Sequence, residues 1–503
     1  MVESTMRSVP SIRIQKSNEA PVNPKGDYVL YWVIAFRRPQ WNFSLQRAVA
    51  WAGELKKPLL VFEALRSGYP WASDRLHRFI LDGMANNALH FKKSPVLYYP
   101  YVEPGHDEDK GLLAALAKKA CVVITDDYPA FFVPRMVKAV SNKLPVLLEA
   151  VDSNGLLPLR AADKIYPTAY AFRRFLQKTL PEYLSDEPKQ NPLKGIQIPR
   201  LDGLPKEIAK QWPPASPALL QGDPKALAAI SIDHHVGVVE TQGGPAEANR
   251  VMKGFVENRL PLYPENRNHP DEEGTSGLSP YLHFGHISVH EVFHRIAEKE
   301  VWSLEDLSQK ATGGRSGWWG MGEAAEDFLD ELTTWRELGY NMTSQSNAYD
   351  RYESLPDWAL KTLADHERDK RPHIYTLDQF ENAQTHDDLW NAAQTQLLRE
   401  GRIHNYLRMV WGKKILEWTA TPRDALDVMI ELNNKYALDG RDPNSYSGIM
   451  WVLGRYDRPW GPERRVFGKI RYMSSKNTVR KLRVSEYLEK YKPREDWSNG
   501  VLE

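Results

Sequence analysis

Cysteine is almost missing from this chain, with one in 503 residues, Cys121. A single thiol excludes an internal disulfide framework and any thiolate metal cluster. Its place in the apolar run Cys121-Val122-Val123-Ile124 reads as a buried structural side chain. Long hydrophobic runs are missing too. No stretch reaches membrane-spanning length, and residues 1–20 hold no apolar segment of the export-signal kind. The net charge is only +1, so no global excess announces a polyanionic partner. His283, His286 and His290 come close together, but no carboxylate or cysteine completes a set, and no metal is expected. The expectation is a cytosolic protein, nuclear in a eukaryote, with no membrane partner and acting as a monomer.

What is present is ordinary in bulk and unusual in distribution. Hydrophobic content of 42% and charged content of 26% are those of a soluble protein, and the length favours two domains. Residues 1–26 read as a flexible tail. Over residues 27–165, β-branched and aromatic runs (28–34, 59–62, 96–99, 122–125, 146–148) alternate with helical patterns (42–55, 73–90). That predicts an α/β domain with a doubly wound parallel sheet. Its first turn lacks Gly-x-Gly-x-x-Gly, which argues against a dinucleotide bound there in the usual way. Residues 166–240, rich in Pro, Lys and Gln around 180–225, read as an interdomain linker. Over residues 241–490 the periodicity is helical, with helices expected at 246–256, 288–298, 323–339, 357–364, 387–400, 403–420 and 422–435. The Gly-rich segment 313–320 has no strand before it, so it is a poor phosphate loop.

The densest information lies between Leu389 and Tyr472. Trp411 and Trp418 stand seven apart on one expected helix, hence on one face, and Trp390 lies on the helix before it. Three such indoles are either a core seam or an electron-hopping chain, and a chain needs a redox cofactor at its inner end. Asp439-Gly440-Arg441-Asp442-Pro443-Asn444 is either a surface turn or a buried one whose carboxylate pairs with an arginine such as Arg408. Residues 275–280 supply hydroxyls and backbone N–H groups before a helix, suited to an anion or to a plain cap. From Arg458 to Arg483 the charge is basic except for Glu463, interleaved with Trp460, Phe467, Tyr472 and Met473. Such a run is either a solvated face or a groove that tracks phosphates and stacks bases.

These stretches resemble the photolyase/cryptochrome flavoproteins, and among them the class II cyclobutane pyrimidine dimer photolyases. The resemblance is carried by Thr275-Ser276-Gly277-Leu278-Ser279-Pro280-Tyr281-Leu282-His283-Phe284-Gly285, Phe328-Leu329-Asp330-Glu331-Leu332 with Trp335-Arg336-Glu337-Leu338, and Leu389-Trp390-Asn391-Ala392-Ala393. The segments 404–418, 432–451 and 466–473 complete it. It implies an α-helical domain that binds FAD and DNA, beside an antenna-type α/β domain holding a deazaflavin or folate chromophore. Tyr263, Arg267, Asn268, Thr275, Ser276, Gly277, Leu278, Ser279, Arg336, Arg408, Asp439 and Asp442 would hold FAD, with Asn433 facing flavin N5. Trp335 and Trp451 would wall the dimer pocket, Glu331 would hydrogen-bond a thymine carbonyl, and Asn405, Tyr406 and Met409 would complete it. Arg464, Arg465 and Arg471 would meet the DNA, Arg471 filling the gap left by the extruded dimer. Trp411, Trp390 and Trp418 would form the photoreduction relay.

Two segments depart from the family wording. Residues 31–38 leave the antenna's identity open, and residues 311–321 look like an insertion. Trp460 is a candidate duplex wedge. The function expected is light-driven repair of dimers in UV-damaged DNA by an electron from excited reduced FAD. The rival is a cryptochrome-like blue-light photoreceptor with the same flavin and relay. Glu331, Trp335, Met409 and Trp451 favour repair, because a sensor has no need of a dimer pocket, and no long signalling tail is expected after the basic segment.

Overall fold

Six strands form one sheet in the computed structural model, which describes residues 8–493. They are β1 (Ile14–Lys16), β2 (Tyr28–Val33), β3 (Leu59–Leu65), β4 (Leu97–Val102), β5 (Ala120–Asp126) and β6 (Leu148–Val151), in the order β1-β6-β5-β2-β3-β4. All neighbours run parallel except β1 against β6. Strands β2 and β5 are buried at every residue, which is why they show no polar alternation. The order reverses between β2 and β5, where nucleotide-binding sheets keep their phosphate-cradling turn. Here Asp126 fills that position. Its carboxylate accepts the N–H groups of Ile34, Ala35 and Phe36 at 3.0, 2.8 and 2.9 Å and the Tyr31 hydroxyl at 2.7 Å. With the turn's donors already satisfied by the chain's own anion, a glycine fingerprint has no purpose there.

The chain divides into two compact units, and their bounds differ from those expected. The sheet unit runs to Asp163 and takes in Thr179–Lys253 and Leu278–Leu304. The helical unit comprises Lys164–Lys178, Gly254–Gly277 and the chain from Glu305. Residues 8–26 are not a loose tail: Ile14, Gln15 and Lys16 pair with Val151, Ala150 and Glu149, satisfying an edge that would otherwise stay open. Residues 1–7 lie outside the described residues. The 166–240 segment is not a free linker either. It carries the helix Ala169–Thr179, and its later part is tied to the sheet unit by Ala215 N–H to Pro100 O, Ser231 N–H to Pro104 O and Asp233 N–H to Ala72 O, at 2.8–2.9 Å. Its other backbone donors close short turns of its own, such as Leu220 N–H to Ser216 O and Leu227 N–H to Asp223 O.

In the helical unit, the helix Asp388–Glu400 starts at Asp387, whose side chain accepts from Trp390 N, and ends at Gly401 in a left-handed turn. The next helix, Asn405–Trp418, packs at Gly412, where a Cβ would lie 2.6 Å from Val452 Cγ2. A similar approach joins Arg336–Gln345 to Pro443–Val452, since a Cβ on Gly339 would meet Pro443 O at 2.7 Å. The helix expected over 323–339 is interrupted. Glu323–Leu329 passes into a π turn, Asp330–Trp335, before Arg336 resumes the α pattern. Such wide turns are frequent at functional sites.

Candidate active site

The π turn carries Glu331 and Trp335, four residues apart, and Trp335 is half-buried. Arg267 donates to the Glu331 carboxylate and lies over the Tyr263 ring at 5.1 Å. Burial raises the pKa of Glu331, and the Arg267 charge opposes that rise. Burial also raises the Tyr263 phenol, and the Glu331 charge adds to it. Asn268 is half-buried in the same segment. Arg259 donates to the carbonyls of Thr275 and Ser276 at 3.0 and 3.4 Å. The boundary between the units falls just after Gly277, so Leu278 and Ser279 belong to the sheet unit. Leu278 is fully buried, so its side chain serves the core.

Arg408 grips Asp439 with two hydrogen bonds of 3.1 and 2.8 Å, the fork geometry that makes such pairs strong. Arg336 reaches Asp442 through a hydroxyl: its Nη2 donates to Tyr340 Oη at 2.9 Å, and that hydroxyl donates to Asp442 at 3.2 Å. Asp442 also caps Pro443–Val452 through Asn444 N. Asn433 is buried, and its amide donates to Asn434 Oδ1 at 3.1 Å and Ser445 Oγ at 2.9 Å.

A FAD site requires polar groups aimed at something other than protein. Arg408 Nε and both ring nitrogens of His404 are buried with no hydrogen-bond partner among the described residues. Burial pulls the His404 pKa down to about 4, helped by the Arg402 charge. Together with the arginines at 259, 267 and 408, these unpartnered polar atoms fit a polar, anionic cofactor.

Trp390 stands between its two partners. Its ring is 6.3 Å from Trp411, nearly parallel at 5°, and 6.1 Å from Trp418, at 67°. Trp390 Nε1 donates to Trp411 O and Trp411 Nε1 to Gln394 Oε1, both at 3.0 Å. Trp418 is only 2% exposed, so the indoles alone do not lead to the surface. Beyond Trp418 lie Tyr375 at 5.7 Å and His386 at 4.9 Å, and the Tyr375 hydroxyl is 2.6 Å from His386 Nδ1. Burial, reinforced by His373, lowers the His386 pKa. No spacing in the sequence links Tyr375 to Trp418, so this extension was not legible there.

On the basic face Arg471 lies between two indoles, 5.7 Å from the Trp451 ring and 4.9 Å from the Trp460 ring, with Arg458 4.8 Å from the latter. Lys413, missed from sequence, lies 4.7 Å from the Trp451 ring and donates to Val452 O at 2.6 Å. Arg464 packs over Tyr472 at 4.9 Å, and Arg464 and Arg465 are exposed. Asn405 is exposed at the start of its helix, with Tyr406 and Met409 half-buried. Among the described residues no group of three His, Cys, Asp or Glu side chains could hold a metal, and no helix is long and apolar enough to cross a membrane.

Unpartnered buried polar atoms at Arg408 and His404, three neighbouring buried indoles and a basic face with arginines over Trp451 and Trp460 all stand in the helical unit. The chain is 32% identical to a deoxyribodipyrimidine photo-lyase of Methanothermobacter thermautotrophicus, over 95% of its own length and 97% of that protein's. It is also 32% identical to one of Potorous tridactylus (98% and 88% covered) and 33% to one of Arabidopsis thaliana (94% and 91%). Its fold matches a class III photolyase from Agrobacterium tumefaciens with a TM-score of 0.64 at 16% identity, over 93% of this chain and 86% of that one. No family model matches. The chain belongs to the deoxyribodipyrimidine photolyase family, flavoprotein enzymes of DNA repair.

Proposed function

We propose that the protein is a class II type photolyase that splits cyclobutane pyrimidine dimers in UV-damaged DNA under blue light. FAD, when bound, supplies the light-driven electron that opens the cyclobutane ring and takes it back afterwards, so there is no net redox change. Arg408, Asp439, Arg267, Tyr263 and residues 275–277 would hold it, with Arg336 and Asp442 in support and Asn433 presenting its side-chain oxygen, since its amide hydrogens go to Asn434 and Ser445. Trp411, Trp390 and Trp418 would carry the electron that first reduces it. Trp335 and Trp451 would stack the extruded bases in place of their lost neighbours. Arg471 and Trp460 would hold the duplex open, with Arg464 and Arg465 on phosphates.

The observation that carries repair over sensing is the Arg267–Glu331 pair one turn from Trp335. Burial raises the Glu331 pKa against the opposing Arg267 charge, and on taking up a proton the carboxyl would donate a hydrogen bond to a thymine carbonyl as negative charge develops there. The test is illumination of a dimer-containing oligonucleotide with the reduced holoenzyme, read as loss of dimer and recovery of base absorbance. Efficient photoreduction with no dimer loss would favour a cryptochrome-like photoreceptor. The sequence motifs offer no antenna site, and a deazaflavin or folate type chromophore in the sheet unit would appear as extra absorbance in the purified protein.

A further inference from the structure

The Gly-rich segment 311–321, which no motif explains, is built rather than loose. Glu326 accepts the backbone N–H groups of Gly317, Gly320 (3.0 Å) and Met321 (3.3 Å). Arg173 donates to Gly313 O at 3.2 Å while holding Asp330 through bonds of 2.6 and 2.9 Å. Gln177 accepts from Gly313 N at 2.8 Å and donates to Gly314 O at 2.9 Å. Trp318 and Trp319 turn inward and are buried, ring to ring at 4.7 Å. Gly320 has φ +72°, and a Cβ there would meet Asp306 O at 2.4 Å, so the segment closes on a backbone approach that only glycine permits. Between these fixed points Arg315, Ser316 and Gly317 stand exposed.

The anchors are also the frame of the candidate lesion pocket. Glu326 and Asp330 lie on the same helical run as Glu331 and Trp335. The Arg315 charge reaches Glu331, acting with Arg267 against the rise that burial imposes. Arg315 is exposed two residues after Gly313, which Arg173 ties to Asp330, the neighbour of Glu331. A fixed backbone leaves only the side chain's own rotamers to be ordered on binding, and the arginine fork suits phosphate oxygens.

We propose that this loop is a DNA-backbone contact, with Arg315 docking on a phosphate of the strand that carries the dimer, at the rim of the lesion pocket. The inference rests on the repair reading above. The test is binding of FAD-loaded full chain to a dimer-containing duplex and to its undamaged counterpart, across a range of salt concentrations. Arg315→Gln should weaken binding of the damaged duplex by about three- to tenfold at low salt. It should also lower the slope of log affinity against log salt by about 0.7–0.9, one phosphate's worth. Arg315→Lys should restore most of that slope with less of the affinity, because it keeps the charge and loses the fork. Unchanged FAD content reports that the variants fold.

Unchanged affinity and slope in Arg315→Gln, with the parent still selective for dimers, would overturn the loop assignment and leave the repair reading standing. Lys behaving as Gln would overturn it as well, since charge would not be the cause. A parent without preference for the damaged duplex would count against the repair reading itself and remove the dimer-strand contact with it.

Discussion

Tryptophan is used in two ways within the helical unit. Trp390, Trp411 and Trp418 are at most 2% exposed, and Trp390 and Trp411 have their N–H groups satisfied inside the protein. Trp335, Trp451 and Trp460 are half-buried, and the last two lie beside Arg471 and Arg458 at 4.8–5.7 Å. A cation against a ring face stabilises the neutral indole through its quadrupole and opposes positive charge on it. The cation-flanked rings are therefore poor carriers of an electron hole, while still offering an edge and a face to a base. Trp418 tests the rule, because Lys414 lies 5.3 Å from its ring. Glu417 neutralises that ammonium at 2.6 Å. Residue type is shared between the two groups; burial separates them, and arginines flank Trp451 and Trp460 on the basic face.

The largest expected effect comes from lengthening a hop. Trp411→Phe should keep its FAD yet slow light-driven reduction by orders of magnitude, followed as bleaching of the oxidised flavin band. Chemically pre-reduced Trp411→Phe should still repair. Phe is the variant of choice because truncating a buried indole to Ala costs about 3–5 kcal/mol. Trp451→Phe slowing photoreduction as much would break the comparison.

Next in size is the pocket wall. Trp335→Ala should weaken binding to dimer-containing DNA by about one to two powers of ten, from a stacking loss of roughly 1–3 kcal/mol per base. Binding to undamaged duplex should stay near parental, as a gel-shift or anisotropy titration would report. Equal loss on both duplexes would remove Trp335 from the pocket.

Lys413 sharpens the comparison from the interior side. Burial pulls its pKa down to about 7, with Asp457 opposing and Arg471 assisting. An unfolded lysine keeps its proton up to about 10.4, so between these values the unfolded chain binds more protons and stability rises with pH. The rise from this group approaches about 1.4 kcal/mol per pH unit inside that window. Denaturant unfolding at stepped pH should register it, and Lys413→Met should flatten it. A parental slope in the variant would mean that Lys413 titrates elsewhere. Smallest is Trp460→Ala, for which we expect a severalfold drop in selectivity for damaged over undamaged duplex. Unchanged selectivity would make it a surface aromatic.

Much of the fold was legible because burial on both faces imprints a pattern. The runs at 28–34, 59–62 and 122–125 have no polar alternation, and β2, β3 and β5 lie there. The Trp411/Trp418 heptad likewise announced its helix. The unit boundaries were not legible. Residues 166–240 read as a linker, although the part from 179 on belongs to the sheet unit, because short Pro-bounded helices have weak periodicity and pack through backbone hydrogen bonds that any residue type can make. The π turn at Asp330–Trp335 was hidden as well, since one extra residue in a helix leaves the apolar spacing nearly intact.

The sequence by itself determined the two secondary-structure regimes, the set of indoles and the basic C-terminal run, because each is written in local composition and period. Only the tertiary structure decided which indoles are sealed and which are flanked by cations. It also placed Tyr375 and His386 beyond Trp418, brought the Asp126 carboxylate onto the turn after β2, and tied Gly313 through Arg173 to Asp330. These depend on groups far apart in the chain meeting within a few ångströms, and charge at that range, not residue identity, sets what a ring or a carboxyl can do.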